Sequence, residues 1–178
     1  MNISAFRSAA FLGFALIMIT VGMLFSYEGN PSALFHMDRE RADLYEVPKG
    51  FIVLLFPGYD GMQYYDIAKQ FPRLLEPSRW SELNTSSTLS YSYQRILLPA
   101  VAFVFSLGQE SALPMTFLFI NLACLIGAGS LLFYRERNLL YGWALALCPA
   151  AMVGLHFSLA EPLTLLLCTM LFLRLEDH

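Results

Sequence analysis

The sequence predicts an all-α integral membrane protein. It would have about four transmembrane helices, a short fifth apolar helix, and a long extracytoplasmic loop carrying an amphipathic helix at the membrane interface. Three observations point there. Of the 178 residues, 57% are hydrophobic and 14% are charged, against roughly 45–50% and about 25% in ordinary soluble domains. Residues 9–26 contain no charged side chain, and about 18 such residues are enough for a helix to cross a bilayer. Beyond residue 95 the chain is a succession of apolar runs, whereas most of its acids and bases fall between residues 28 and 94.

The first element is residues 9–26, preceded by Arg7. The run exceeds the core of a signal peptide, about 7–15 residues, and no small-x-small cleavage site follows it, so it is read as a retained span. Residues 28–94 form the polar loop. Inside it Phe-Ile-Val-Leu-Leu-Phe at 51–56 is too short to span and suits a short strand or a dip into the interface. Met62, Tyr65, Ala68 and Phe71 recur every third residue, with Gln63, Asp66, Lys69, Gln70 and Arg73 opposite. That pattern is an amphipathic helix lying in the membrane surface, disrupted at Pro72.

Residues 96–110 make a second span if Arg95 snorkels and Tyr91 and Tyr93 sit at the interface. Residues 111–134 make a third. Residues 138–155 make a fourth, with Pro149, Gly154 and His156 interrupting the stretch, and residues 159–174 are apolar but short of a bilayer's thickness. The whole chain, 1–178, then reads as a single membrane domain. Arg7 before the first span favours a cytoplasmic N-terminus in the cytoplasmic (inner) membrane, which places loop 28–94 outside.

Several function classes are disfavoured. A net charge of −3 is the wrong sign for a nucleic-acid partner. Cys124, Cys148 and Cys168 sit singly in apolar runs and have no metal-ligand spacing. There is no P-loop, no dinucleotide fingerprint, no zinc-protease motif and no nucleophile elbow. No cofactor is expected, and no fixed metal is indicated.

The candidate functional residues are few. Asp60 could act as a general base beside the bilayer, taking a proton from an attacking hydroxyl. It also fits a capping box with Gln63, which would orient the same side chain. Asp66 stands on the polar face of the amphipathic helix. Tyr64 and Tyr65 suit either stacking on a sugar or headgroup, or anchoring at the interface. Arg95 could hold a phosphate in a bidentate fashion. Glu161 is an acid within an apolar region, which by default marks function; Ser158-Leu159-Ala160-Glu161 followed by Pro162 is also a helix-start signal. His156 lies nearby.

Tyr59-Asp60-Gly61-Met62-Gln63-Tyr64, followed by Tyr65-Asp66-Ile67-Ala68, resembles the Trp-Asp-x-x-x-Tyr loop of membrane glycosyltransferases of the GT-C fold. The similarity is to the branch of the second mannosyltransferase of GPI-anchor assembly and its bacterial relatives. Tyr93-Gln94-Arg95-Ile96-Leu97-Leu98-Pro99 is similar to the start of their second span. Pro149-Ala150 and Ser158-Leu159-Ala160-Glu161-Pro162-Leu163 resemble their Asn-Pro and acidic stretch. The resemblance implies an inverting transferase. A polyprenyl-phosphate sugar would be the donor and a hydroxyl the acceptor, outside the cytoplasm, with Asp60 matching the loop acid and Glu161 the second acid. Its partners would be the lipid-linked donor and membrane lipids. Such proteins carry more spans, so the resemblance also implies an amino-terminal fragment or degenerate copy, or a further membrane chain that supplies the rest. A non-catalytic multi-span membrane subunit is the alternative. It draws on the small-residue patch Gly127-Ala128-Gly129-Ser130, which suits close helix packing.

Overall fold

The structure is a computed structural model that describes residues 3–54, 60–74, 76, 96–136 and 138–176. Among them eight helices carry almost all the order: α1 Ile3–Phe25, α2 Arg39–Leu44, α3 Asp60–Leu74, α4 Leu97–Phe105, α5 Leu113–Glu136, α6 Leu139–Ala146, α7 Pro149–His156 and α8 Glu161–Glu176. The chain divides into a central unit, residues 30–117, and a terminal unit made of residues 1–29 and 118–178.

The four-span expectation is overturned. Among the described residues a single helix, Glu110–Glu136, is long and apolar enough to cross a membrane, judged by length and composition. In α1 the apolar stretch, Ala9–Phe25, is shorter than that. The stretch at 96–110 forms only the nine-residue α4, which spans about 14 Å at 1.5 Å per residue, half of a bilayer core of about 30 Å. The stretch at 138–155 is split into α6 and α7 of eight residues each. Pro149 causes that split. The residue before a proline is pushed out of helical geometry, and Cys148 has an extended backbone, φ −63° and ψ 150°. It then restarts the helix as its N-cap, with its sulfur accepting from Ala151 N at 3.4 Å.

Residues 30–54 and 60–74 are likewise not a loop with a helix laid on a membrane. They belong to a packed unit. Asn30 caps a 3₁₀ turn at Pro31–Phe35, its side chain accepting from Ser32 N at 3.0 Å. The Asn30 amide also donates to the Gly50 carbonyl at 2.7 Å, and Ile52 N donates to Ser32 Oγ at 2.8 Å. These bonds bring 50–54 alongside the turn, where β1 Met37–Asp38 and β2 Val53–Leu54 pair in parallel, Met37 with Val53 and Asp38 with Leu54. Asp38 then caps α2 by accepting from Arg41 N at 2.8 Å.

Helix α3 packs against α4 and the 3₁₀ turn. Phe71 meets Phe103 of α4 at 5.3 Å between ring centroids. Phe35, Phe51, Tyr65 and Phe117 form an aromatic core, with Tyr65 5.4 Å from Phe35 and 5.0 Å from Phe51, and Phe117 5.2 Å from Phe35. Pro72 lies inside α3 and does not end it at once; the helix runs on to Leu74. A proline near the end of a helix removes one backbone bond without unravelling the turns before it.

In the terminal unit Leu12, Leu16, Thr20 and Leu24 of α1 form one buried stripe at four-residue spacing, while Phe11, Phe14, Ile17, Met18, Val21 and Phe25 are exposed. Glycines set the closest approaches. A methyl added to Gly142 on α6 would stand 2.6 Å from the Gly129 carbonyl oxygen on α5. One added to Gly129 would stand 2.6 Å from Leu12 Cδ2, and one added to Gly127 would stand 3.3 Å from Leu166 Cδ1. The small-residue patch at 127–130 is therefore occupied by this chain's own helices.

Candidate functional site

The predicted site residues fall into two sets, one in each unit. Asp60, Tyr64, Tyr65 and Asp66 lie on α3 of the central unit. His156 and Glu161 lie at the end of α7 and the start of α8 in the terminal unit. Arg95, with Tyr59, Tyr91 and Tyr93, lies outside the described residues.

Asp60 is the first residue of α3 and is half-buried. The turns behind it are sealed: Met62, Tyr64, Tyr65, Ile67 and Ala68 are all buried. Neither tyrosine offers a ring face to solvent, at 2% exposure for Tyr64 and 0% for Tyr65. The Tyr65 hydroxyl is buried without a hydrogen-bond partner. Burial pushes this phenol well above its ordinary range, and the acids Glu110 and Asp66 push it further the same way.

Asp66 is where the sequence and the structure part. It does not stand on a solvated face; it is 6% exposed. Gln70 Nε2 donates to Asp66 Oδ1 at 2.7 Å across one helical turn. Burial raises the Asp66 pKa, which the Gln70 hydrogen bond and the charges of Lys69 and Arg73 partly oppose. The phenol of Tyr45 is also raised, by burial first and then by Asp66.

Lys69, one residue of the polar face in the sequence pattern, ties three elements together. Its ammonium donates to the carbonyls of Tyr45 at 2.8 Å and Glu46 at 3.1 Å, just past the end of α2. It also pairs with Glu110 at 3.4 Å, in the 3₁₀ turn before α5. A cation at a helix C-terminus meets carbonyls that have no partner within the helix. The helix that presents Asp60 is thus held by its aromatic face on one side and by Lys69 on another. Nothing in the sequence around residue 69 names its partners, because they are backbone oxygens more than twenty residues away.

In the terminal unit α7 ends in a Schellman turn. Ser158 takes the left-handed conformation, φ 52°, and Leu159 N donates to the Gly154 carbonyl at 2.8 Å. The His156 ring packs edge-on against Phe157 at 4.7 Å, and burial lowers the imidazole pKa. Helix α8 starts at Glu161 with Pro162 in its first turn, two residues later than the Ser158–Glu161 capping box would begin it. Glu161 as a whole is half-buried, and its Oε2 atom is buried. Among the described residues no three His, Cys, Asp or Glu side chains stand together as metal ligands.

A half-buried carboxylate at the mouth of an anchored helix can accept a proton from a hydroxyl brought to it. Asp66 is enclosed and accepts from Gln70 within α3. Compared with known proteins, the chain matches no family model, no curated protein and no solved structure.

Proposed function

We propose that the chain acts in sugar transfer at a membrane. The donor is a polyprenyl-phosphate sugar, the acceptor a hydroxyl on the extracytoplasmic side, and Asp60 the group that takes the acceptor's proton. One observation carries this reading: Asp60 is the accessible acid of the Tyr59–Ala68 motif, at the start of a helix whose following turns are locked into the unit's core. Locking matters, because a general base works only when its carboxylate is held within hydrogen-bond reach of the reacting proton. The length and apolarity of Glu110–Glu136 are consistent with work beside a lipid-borne donor. Glu161 is the second acid of the proposal, and Arg95 the proposed contact for the donor phosphate.

The test is transfer of mannose from radiolabelled polyprenyl-phosphate mannose by membranes that contain the full chain. Asp60→Asn is expected to lower transfer by about 100-fold or more, the scale of a lost general base, while the amount of protein in the membrane stays constant. Transfer at the unaltered rate by Asp60→Asn would remove the proposal. The same result would leave a non-catalytic membrane subunit as the better account.

A further inference from the structure

We infer that Gly154 is a positioning residue for Glu161: the α7–α8 junction is an elbow, closed by the absence of a side chain at 154, that fixes where the Glu161 carboxyl stands. The inference rests on the proposed role of Glu161 for its functional half, and on geometry alone for its structural half. A methyl on Gly154 would lie 2.6 Å from Pro162 Cδ, 3.2 Å from Pro162 Cγ and 3.0 Å from Glu161 Cβ. Contacts that short force something to move. The atoms met belong to a rigid pyrrolidine ring and to the first carbon of the glutamate, not to the free end of a flexible chain.

The rest of the elbow allows little slack. The Gly154 carbonyl accepts from Leu159 N at 2.8 Å, and Ser158 holds the left-handed turn between them. Gly154, Leu155, Ser158 and Leu159 are all buried. The first turn of α8 is therefore pinned from inside the bend and from the backbone at once. Alanine at 154 would push Pro162 and Glu161 together away from α7 and carry the buried Oε2 with them. The Glu161-Pro162 pair looks in sequence like an ordinary helix start. Its place in space is set by a glycine seven residues earlier.

The experiment uses the full chain in membranes with three variants: Gly154→Ala, Pro162→Ala and the double variant. Pro162→Ala deletes the two ring atoms that a methyl at 154 would strike, so it serves as the baseline for the rescue. The first readout does not depend on activity: modification of Glu161 by a hydrophobic carbodiimide, followed by mass spectrometry. Gly154→Ala is expected to change the labelling rate of Glu161 several-fold, and the double variant to return most of the way to the Pro162→Ala rate, the 3.0 Å contact with Glu161 Cβ alone remaining. Unchanged labelling in Gly154→Ala, or no return in the double variant, overturns the inference.

The second readout is mannose transfer. Gly154→Ala is expected to lower kcat by about 10- to 100-fold, the effect of a displacement near 1 Å at a reacting group. The apparent KM for the donor should hold, as it does when positioning rather than binding is lost. If labelling shifts while transfer does not, and Asp60→Asn still abolishes transfer, Glu161 needs no positioning and the inference fails. If Asp60→Asn and Glu161→Gln both transfer at the unaltered rate, the proposed function fails instead, and labelling alone decides the elbow. Should Gly154→Ala not accumulate, recovery of the protein by Pro162→Ala would support the steric claim, and failure to recover would end it.

Discussion

The central and terminal units hold their helices by different means. In the central unit polar side chains reach backbone groups far along the chain: Asn30 to Gly50, Ser32 to Ile52, Lys69 to Tyr45 and Glu46. An aromatic cluster fills the space they enclose. In the terminal unit Thr20 donates to the Leu16 carbonyl, Leu140 N to Asn138 Oδ1 and Thr169 to the Leu165 carbonyl, each within four residues along the chain. Its long-range closeness comes from glycines that let one helix backbone touch another. A unit pinned by directed bonds should fail when a charge is removed. A unit pinned by missing side chains should fail when volume is added.

The largest expected effect is a failure by volume. In Gly142→Ala the new methyl meets the Gly129 carbonyl, a backbone atom that cannot swing aside. Alanine favours an isolated helix by about 1 kcal/mol over glycine, yet overpacking costs about 1–3 kcal/mol. With a main-chain atom as the obstacle the upper end applies, and the net loss should be about 2 kcal/mol in thermal unfolding of the purified protein, with protection from hydrogen exchange falling first along α5 and α6. Gly22→Ala in α1 is the control, because no atom lies within 4 Å of a methyl there. If the two alanines behave alike, the terminal unit is not held by its missing side chains.

The matching failure by charge is Lys69→Met. It retains the aliphatic stem and deletes the ammonium, which strands two carbonyls past α2 and releases Glu110. Hydrogen bonds to a charged donor contribute about 1.5–3 kcal/mol net of their exchange with water. With the lysine side chain 19% exposed, a loss of about 2 kcal/mol is expected. Hydrogen exchange should show it in α2 and α3, with α6–α8 unaffected. A loss spread evenly over both units would mean that Lys69 is no local clip.

Asp66 sharpens the same point through pH. Its pKa is raised in the fold, chiefly by burial. The native state therefore holds the Asp66 proton more tightly than the unfolded chain does. The stability Asp66 adds is complete below the ordinary aspartate pKa and drains away as pH rises through the elevated one. Asp66→Asn retains an acceptor for Gln70 and has no charge to bury. Its melting temperature should exceed that of the parent at neutral pH, and the difference should shrink toward acid. A difference that grows toward acid would show Asp66 to be stabilised as a carboxylate, against the present account.

These cases also show how far the sequence could be read. The first apolar helix and the amphipathic character of α3 were legible, because periodicity reports which side chains are apolar. The surroundings of α3 were not. Met62, Tyr65 and Ala68 suit a bilayer surface as well as a protein core, and only the placement of Phe35, Phe51 and Phe117 decides between them. Asp66 stands on the polar face of α3 in the sequence pattern; the Gln70 bond and the charge of Lys69 that accompany its burial belong to a three-dimensional arrangement. The four-span reading fails for a related reason. Hydropathy sums residues, whereas a span needs unbroken helix, and Cys148-Pro149 and the left-handed Leu107 break it. Of the candidate site, Asp60 and Glu161 could be named from their motifs, but the groups that hold them, Lys69 and Gly154, carry no motif.

The smallest effect tests a device that both units share. Helix α4 ends with Leu107 in the left-handed conformation, φ 54°, and Gly108 N donating to the Phe103 carbonyl at 3.1 Å. Helix α1 ends the same way, with Glu28 at φ 54° and Gly29 N donating to the Leu24 carbonyl at 3.1 Å. Both residues are exposed, so glycine would forfeit little packing at either site. An L-residue there carries about 1–2 kcal/mol of steric penalty, and the greater freedom of glycine in the unfolded chain returns about 0.4–1 kcal/mol of it. Leu107→Gly and Glu28→Gly should each stabilise the protein by about 0.5–1 kcal/mol, the difference between those two terms. Equal gains would show that the units differ in how their helices are joined and not in how they are ended. A gain in one unit alone would mean that the turn itself bears a contact specific to that unit.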